Sequence, residues 1–486
     1  MAGAFIKFFT PFVRVMPEIK QPQREVRFKE KFIWTAVVLI IYLIMSSVQL
    51  YGVDVSGSDS MYWMRIILAS QRGTLTELGI GPIITAGLIM QLLLGAKIIN
   101  IDMSDPYDRS MFSGAQKVMS MFMTMFNATI YILGGQFGNL SGPNIVLVFL
   151  QLILSGMVII LLDEVLQKGW GLGSGVSLFI GAGVAGQIFW SLFSFAPAGV
   201  AGMGYRGIVI EFFNVLFDGD PNTNLDDIWF RGRVPGLLGL IITIVIFLVV
   251  IWFESTKIEI PLQHAGYRGF KGKYPMKLLY VSTIPIILLN AIYANIIFIG
   301  QQVVGGVNDA GQTFGLLRGV WPDEWLNLLG FFEAKDGQYI PTSGLLYLIS
   351  PPLGLDQLIA DPIRAVIYFG FSTLLCVGLG KVWVSVSGIA PRDIAQQILD
   401  SGMQVPGFRR SEKIIEKILK RYIPTLVVLN GIIISTLSFA ADSFGALASG
   451  TGLLIAIGII HQYAETISKE VAAMQYPSMR EFLGLD

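Results

Sequence analysis

Leu78-Gly-Ile-Gly-Pro-Ile-Ile-Thr-Ala-Gly-Leu-Ile-Met-Gln91 is the stretch from which the fold can be read. It carries no charge and lies inside an apolar run, 76–99, long enough to cross a bilayer, for which roughly 20 residues suffice. Its core, Gly81-Pro82-Ile83-Ile84, returns far down the chain as Ile284-Pro285-Ile286-Ile287. A second pair behaves the same way: Ser174-Gly175-Val176-Ser177-Leu178-Phe179-Ile180 is matched by Ser449-Gly450-Thr451-Gly452-Leu453-Leu454-Ile455. The two matches fall on the second and fifth apolar spans of each half when the chain is cut after the fifth. Five is odd, so the halves enter the membrane from opposite sides and the repeat is inverted.

Working outward, the 486 residues are 53% apolar and 14% charged, against about 25% charged in soluble domains. Apolar spans are expected at 32–50, 76–99, 110–134, 144–166, 172–194, 235–255, 278–302, 362–386, 423–441 and 447–467. The fold class expected is therefore all-α and polytopic: ten transmembrane helices in two inverted five-helix halves around a central pore. Residues 32–200 form the first half, 201–234 an external hinge segment, and 235–486 the second half. Residues 1–31 lack the apolar core and cleavage site of a secretory leader. They read as a cytosolic amphipathic segment (Phe5, Phe8, Phe9, Phe12, Val13) with a charged lead-in. With the N-terminus inside, 26 of the 34 Lys and Arg fall on the inner face, as the positive-inside rule requires. Two inner loops, 256–277 and 388–421, are long and basic. The second holds a helix-like run, 411–421, in which Glu412 and Glu416 stand four apart and Glu416 has the i,i+4 spacing for a pair with Lys420. Outside, 58–71 is an apolar helical stretch too short to cross.

Several chemistries find no residues here. Zero net charge argues against nucleic acid as a main partner. Cys376 is the sole cysteine and there are two histidines, too few for a zinc site. No span holds paired carboxylates and no phosphate-binding loop occurs, so neither an enzyme nor a self-powered pump is expected, and no cofactor. An inverted-repeat secondary transporter, the alternative reading, calls for an ionisable group at mid-membrane. Glu77, Lys97, Asp163, Glu164, Glu254 and Glu465 all lie at span ends. The interiors carry neutral polar groups instead, among them Thr85, Gln91, Asn127, Gln151, Gln187, Asn290 and Asn295. Gln151 and Gln187 are expected to bond neighbouring helices. Such a conduit suits a substrate of no single chemistry.

Three stretches carry a resemblance: Leu78–Gln91, Leu162-Asp-Glu-Val-Leu-Gln-Lys-Gly-Trp-Gly-Leu-Gly-Ser-Gly175 and Lys420-Arg-Tyr-Ile-Pro424. Together with Arg72-Gly-Thr-Leu75, Lys273-Tyr-Pro-Met-Lys277, Ser350-Pro-Pro352 and Ser449-Gly-Thr-Gly452, they resemble the large subunit of the SecY-type translocon, in its archaeal and eukaryotic branch. The loop 266–273 and the compact C-terminus look archaeal.

The resemblance implies a passive, gated channel that moves unfolded secretory polypeptides across a membrane and releases hydrophobic segments sideways into lipid. It implies an hourglass pore whose apolar ring is Ile80, Ile84, Val176, Ile180, Ile287 and Ile455; the repeat independently pairs Ile84 with Ile287 and Ile180 with Ile455. Branched aliphatics suit such a waist, because dewetting opposes hydrated ions and a passing chain is held weakly. Residues 58–71 become a plug, with Met61, Tyr62, Trp63, Met64, Ile66, Ile67 and Leu68 its apolar face. A lateral gate is implied between spans two and three and spans seven and eight, with Thr85, Asn127 and Asn295 its polar cluster. Thr283 stands where the family has Asn, which alters the local polar contact of span seven. Arg268 and Arg409 match arginines that meet the ribosome. The implied partners are a small single-span clamp subunit of gamma/E type, a small tail-anchored subunit of beta type, the ribosome, signal-bearing polypeptides and the lipid bilayer. The implied location is an archaeal-type cell membrane, or else the endoplasmic reticulum membrane.

Overall fold

The computed structural model describes residues 4–24, 26–53, 65, 68–96, 98–99, 101, 106–133, 137, 142–197, 204–218, 228–229, 231, 236–264, 271–307, 313–315, 317, 321–335, 338–352, 354–405 and 411–475. A backbone crossing lipid must satisfy its polar groups within itself, so apolar spans of this length become helices. The spans of the first half are α2 (Phe28–Ser47), α3 (Gly81–Gly95), α4 (Pro106–Leu133), α5 (Gly142–Gln167) and α6 (Gly175–Phe193). Those of the second are α8 (Leu237–Ser255), α9 (Ile284–Val304), α13 (Pro362–Val386), α15 (Glu412–Ser443) and α16 (Gly450–Gln475). Outside the spans lie α1 (Ala4–Val15), α7 (Ile208–Asp218), α10 (Asp323–Leu329), α11 (Gly344–Leu348), α12 (Gly354–Ala360) and α14 (Pro391–Asp400). Helix α1 packs on the start of α4, where Phe9 joins Met90 and Phe112; the side chains of Phe5 and Phe8 lie outside the described residues.

The inverted repeat is visible in backbone angles as well as in sequence. Helices α3 and α9 both start with proline in the first turn, where a missing N–H breaks no helical bond. The residues before them, Ile80 (φ −92°, ψ 1°) and Thr283 (φ −87°, ψ −2°), have nearly the same conformation. One position further back, Gly79 and Ser282 have φ of 53° and 52°. At Gly79 a β-carbon would sit 2.0 Å from the Leu68 carbonyl oxygen, so only glycine fits. Ser282 accepts the same left-handed turn because it is tied on both sides: its hydroxyl donates to Glu254 Oε1 (2.9 Å), and its carbonyl accepts from Asn430 Nδ2 (3.1 Å). The second pair of matched spans repeats another device. Asp163, at the end of α5, accepts the Val176 N–H (3.1 Å) at the start of α6. Asp442, at the end of α15, accepts the Gly450 N–H (2.7 Å) at the start of α16. Each carboxylate caps the helix that follows it.

Three expectations change. Helix α3 starts at Gly81 rather than 76, because the left-handed Gly79 interrupts the run. The run 411–421 is continuous with the ninth span: α15 has 32 residues, about 48 Å at 1.5 Å per residue, and so extends well beyond the hydrocarbon. There Glu416 pairs with Lys420 (2.9 Å) as its spacing requires, while Glu412 meets Arg392 (3.5 Å) instead of a lysine on its own helix. The described residues of 58–71, Arg65 and 68–71, lie in a turn and coil rather than a helix.

The basic loops are a folded unit. Strands β1 (Lys257–His264) and β2 (Lys271–Lys277) form a hairpin, and β7 (Met403–Gln404) joins its edge. Ile260 and Leu262 of β1 pack with Ile394 and Ile398 of α14 and Ile415 and Leu419 of α15 in one buried cluster. Lys277 bonds Glu465 of α16 (3.0 Å), anchoring the hairpin to the last span. A second sheet lies between α9 and α13, in the order β4 (Thr313–Phe314), β3 (Gly306–Val307), β5 (Phe331–Lys335) and β6 (Gln338–Ser343).

Candidate functional site: an apolar waist, its cover and a polar seam

The spans bring the six aliphatics of the expected ring together. Ile80, Ile84, Ile180 and Ile455 are buried in one hydrophobic cluster, and Val176 and Ile287 pack against it. Ile80 and Ile180 have no exposed surface. Four residues come from one half (α3 with its preceding turn, and α6) and two from the other (α9, α16), so the cluster lies where the halves meet. The aromatic wall beside it is a stack of Tyr42 on Phe179, with ring centroids 4.4 Å apart.

Ala69, four residues past Arg65 in the short external stretch, belongs to the same cluster. The described end of that stretch is pinned at three points. The Tyr42 hydroxyl donates to the Ala69 carbonyl (2.5 Å). The Ile80 N–H donates to the Leu68 carbonyl (2.8 Å). Arg65, buried, reaches the equally buried Glu77 (2.8 Å) and bonds the Ser70 hydroxyl (3.0 Å), which in turn donates to the Glu77 carbonyl (2.7 Å). The other Glu77 carboxylate oxygen accepts the Gly73 N–H. The sequence reading put Glu77 at a span end and gave it no partner, and it did not single out Arg65. The available signal was one arginine inside an apolar stretch, twelve residues before one glutamate. Of the plug residues named from the sequence, Leu68 is described and buried; Met61, Tyr62, Trp63, Met64, Ile66 and Ile67 lie outside the described residues.

Along one side of the waist, α3 meets α9 and α13. Asn295 Nδ2 of α9 donates to Thr85 Oγ1 of α3 (3.2 Å) and to its own helix at the Ala291 carbonyl (2.6 Å). Asn127 of α4 lines the same small pocket as Thr85 and Asn295, and Leu68 closes it from the external side. Nearer the N-terminal face, Gln91 and Leu92 of α3 face Leu288, Leu379 and Trp383 across the seam in a second, almost wholly apolar pocket. On the opposite side the halves join through α6 and α16, where Ser191 donates to the Leu447 carbonyl (3.3 Å). Elsewhere in span seven, Asn290 donates to Thr451 of α16 (3.1 Å). Gln151 bonds the backbone of Tyr51 at the end of α2 through both N–H and carbonyl (2.9 and 3.2 Å). The buried Gln187 carbonyl oxygen has no protein partner among the described residues. Arg268 and Arg409 lie outside the described residues.

A membrane helix bundle whose two halves meet at a buried aliphatic cluster has the architecture of a channel. Comparison with known proteins gives the family. The SecY family model matches residues 74–464, and the model of the plug domain of Sec61p matches residues 40–73. The protein transport protein Sec61 subunit alpha of Dictyostelium discoideum is 41% identical over 479 residues, which is 97% of this chain and 98% of that one. The structure described as a protein conducting channel superposes with a TM-score of 0.76 at 36% identity, covering 95% of this chain and 97% of that one. Sec61 in the canine ribosome-channel complex from the endoplasmic reticulum gives 0.74 at 36% identity, with the same coverage. The chain belongs to the SecY family. It is a multi-pass membrane protein with ten spanning helices in two halves, the pore-forming subunit of a protein-conducting channel with a plug.

Proposed function

We propose that Ile80, Ile84, Val176, Ile180, Ile287 and Ile455 form the constriction through which an unfolded polypeptide passes, and that 58–71 covers it in the idle state. The supporting observation is that these six side chains, from four separate spans, join one cluster that also contains Ala69 at the end of the covering segment. The seam of α3 and α4 against α9 and α13 is the lateral gate, held by Thr85 and Asn295, with Asn127 beside them. A sufficiently apolar segment in the pore competes for this seam and leaves through it into lipid. Interhelical hydrogen bonds in membranes average about 0.6 kcal/mol, so a single one guards the gate without locking it. The chain has no residues for ATP chemistry, so the driving force comes from a partner.

That partner is a translating ribosome, with Arg268 and Arg409 at the contact. Support comes from the ribosome-bound canine relative. It also comes from the sheet, in which His264 pairs with Met403, so that the ends of both loops share one edge. A basic surface there is attracted to phosphate-rich RNA. A gamma/E-type single-span subunit and a beta-type tail-anchored subunit complete the assembly. The sequence of the loop 266–273 supports an archaeal-type cell membrane, while the Dictyostelium and canine relatives support the endoplasmic reticulum; the N-terminus is cytosolic in both. Replacing Ile84, Ile180 and Ile287 together by Gly tests the ring: the reconstituted idle channel becomes permeable to small ions. Unchanged ion conductance overturns the assignment.

A further inference from the structure

The hinge segment contains a helix whose amphipathicity is turned inside out. In α7 Glu211 points inward: it is 2% exposed and accepts the Gly204 and Tyr205 N–H groups (2.9 and 2.7 Å). Arg231, also buried, lies 3.9 Å from it and donates to the Tyr205 and Arg206 carbonyls (2.5 and 3.3 Å). The outward stripe is Phe212, Phe213, Leu216 and Phe217, positions one turn apart on a single face, with Phe213 half exposed and Phe217 80% exposed. A water-facing helix has the reverse arrangement.

The depth of this stripe follows from its attachment. Helix α6 has 19 residues, about 28 Å long, close to the roughly 30 Å hydrocarbon thickness of a bilayer. It therefore ends near the membrane boundary. There Gly207 N donates to the Ser194 carbonyl (3.0 Å) and Arg206 N to the Ala196 carbonyl (2.8 Å), so α7 starts at the level where α6 leaves the lipid. Trp190 and Phe193 are also exposed, on the last turn of α6 where it reaches this level. Aromatic side chains concentrate at this depth in membrane proteins.

We propose that α7 lies in the bilayer interface of the leaflet opposite the N-terminus, with Phe212, Phe213, Leu216 and Phe217 inserted between headgroups and upper acyl chains. Its occupant is lipid rather than a protein partner, because the stripe carries no charge or hydrogen-bonding group and α7 starts at the level where the exposed aromatic last turn of the spanning α6 ends. The ordered Glu211–Arg231 pair holds the helix in this orientation, so the connection between the two halves is itself a membrane-anchored element.

The test uses the channel purified with its accompanying subunits and placed in phosphatidylcholine nanodiscs. Cys376 is fully buried, so an environment-sensitive fluorophore attaches selectively to F213C, F217C or, as a water-facing control, E324C in α10. The fluorophores at 213 and 217 are expected to be quenched about twofold or more by phosphatidylcholine carrying a shallow doxyl group, and little by iodide; at 324 the order reverses. Iodide quenching at 213 and 217 without lipid quenching overturns the proposal. So does protection from both quenchers, which places a protein on the stripe. The unsubstituted channel gives a second reading free of labelling effects: a lipid-borne diazirine forms adducts within 208–218. Absence of such adducts, with adducts present on α8, also overturns the proposal.

Discussion

Substitution of Arg65 by Met should make the idle channel flicker open. Arg65 and Glu77 are 2.8 Å apart, with side-chain exposures of 8% and 0%. Removing one member of a buried pair leaves the other charge desolvated without its partner, at about 3–5 kcal/mol. At about 1.4 kcal/mol per factor of ten, the equilibrium between seated and unseated cover shifts by roughly a hundredfold to several thousandfold. Glu77 keeps the Gly73 N–H as a donor, which favours the lower end of that range. The assay is open probability in planar bilayers without translocating chain, with R65M, E77Q and R65M/E77Q compared. Each single variant opens more often. The double variant returns towards the parent, because an uncharged pair of similar volume removes the desolvation penalty along with the attraction. Single variants that stay as closed as the parent would refute the latch. A double variant that leaks as much as the sum of the singles would show that the two side chains do not act as a pair.

Other consequences are smaller or more local. Gly79→Ala places a methyl 2.0 Å from the Leu68 carbonyl oxygen at a left-handed φ. It should dislodge the Leu68–Ile80 hydrogen bond and raise basal ion leak, measurable by dye release from proteoliposomes; Gly87→Ala, in the middle of the helix that follows and facing Gln116, serves as the comparison. Thr85→Val removes the acceptor of the Asn295 bond across the seam, worth about 0.6 kcal/mol. It should therefore shift gate opening about threefold, read as insertion of marginally hydrophobic segments that the parent rejects. The Lys168 ammonium beside Glu18 holds its carboxyl below the ordinary value of 4.5. A carboxylate whose folded pKa is depressed contributes its stabilisation above the ordinary pKa and loses it as pH falls through the folded one. Residues 1–24 should thus become more susceptible to protease as pH drops below about 4.5. The change should be modest, since an exposed pair is worth about 0.2–1 kcal/mol; K168M abolishes the pH dependence.

What the sequence revealed follows a physical division. Span positions and the repeat were legible because apolar runs and matched motifs are local in the chain, while the six aliphatics that meet in one cluster were named only through the family resemblance. Partners brought together by folding were not legible. Glu77 reads as an ordinary charge at a span end, and nothing local to it points to Arg65. Ser282 gives no hint of a left-handed turn, because serine there is held by Glu254 and Asn430, 28 and 148 residues away. The loop hairpin is a different case: Ile258, Ile260 and Leu262 alternate with polar residues, a strand period hidden behind the more conspicuous Lys and Arg content. Glu211 in the hinge was likewise legible only as a charge; its inward orientation depends on Arg231.

The distribution of chemistry between waist and surroundings has its own logic. A ring of aliphatic side chains resists ions because water leaves it readily, and for the same reason it cannot hold anything in place, whether a transiting chain or its own cover. The forces that seat the cover must therefore lie off the pathway. Here the Tyr42 hydroxyl, the Ile80 backbone N–H and the Arg65–Glu77–Ser70 network hold the covering stretch through polar and backbone atoms rather than through the aliphatic side chains of the proposed ring. These are directional contacts that break at discrete points, whereas the ring itself only has to re-form its aliphatic packing. The channel can thus be closed firmly without making its narrowest point sticky. It follows that rim substitutions change how often the cover leaves its seat, while ring substitutions change what the waist lets through, in the idle channel as well as the open one.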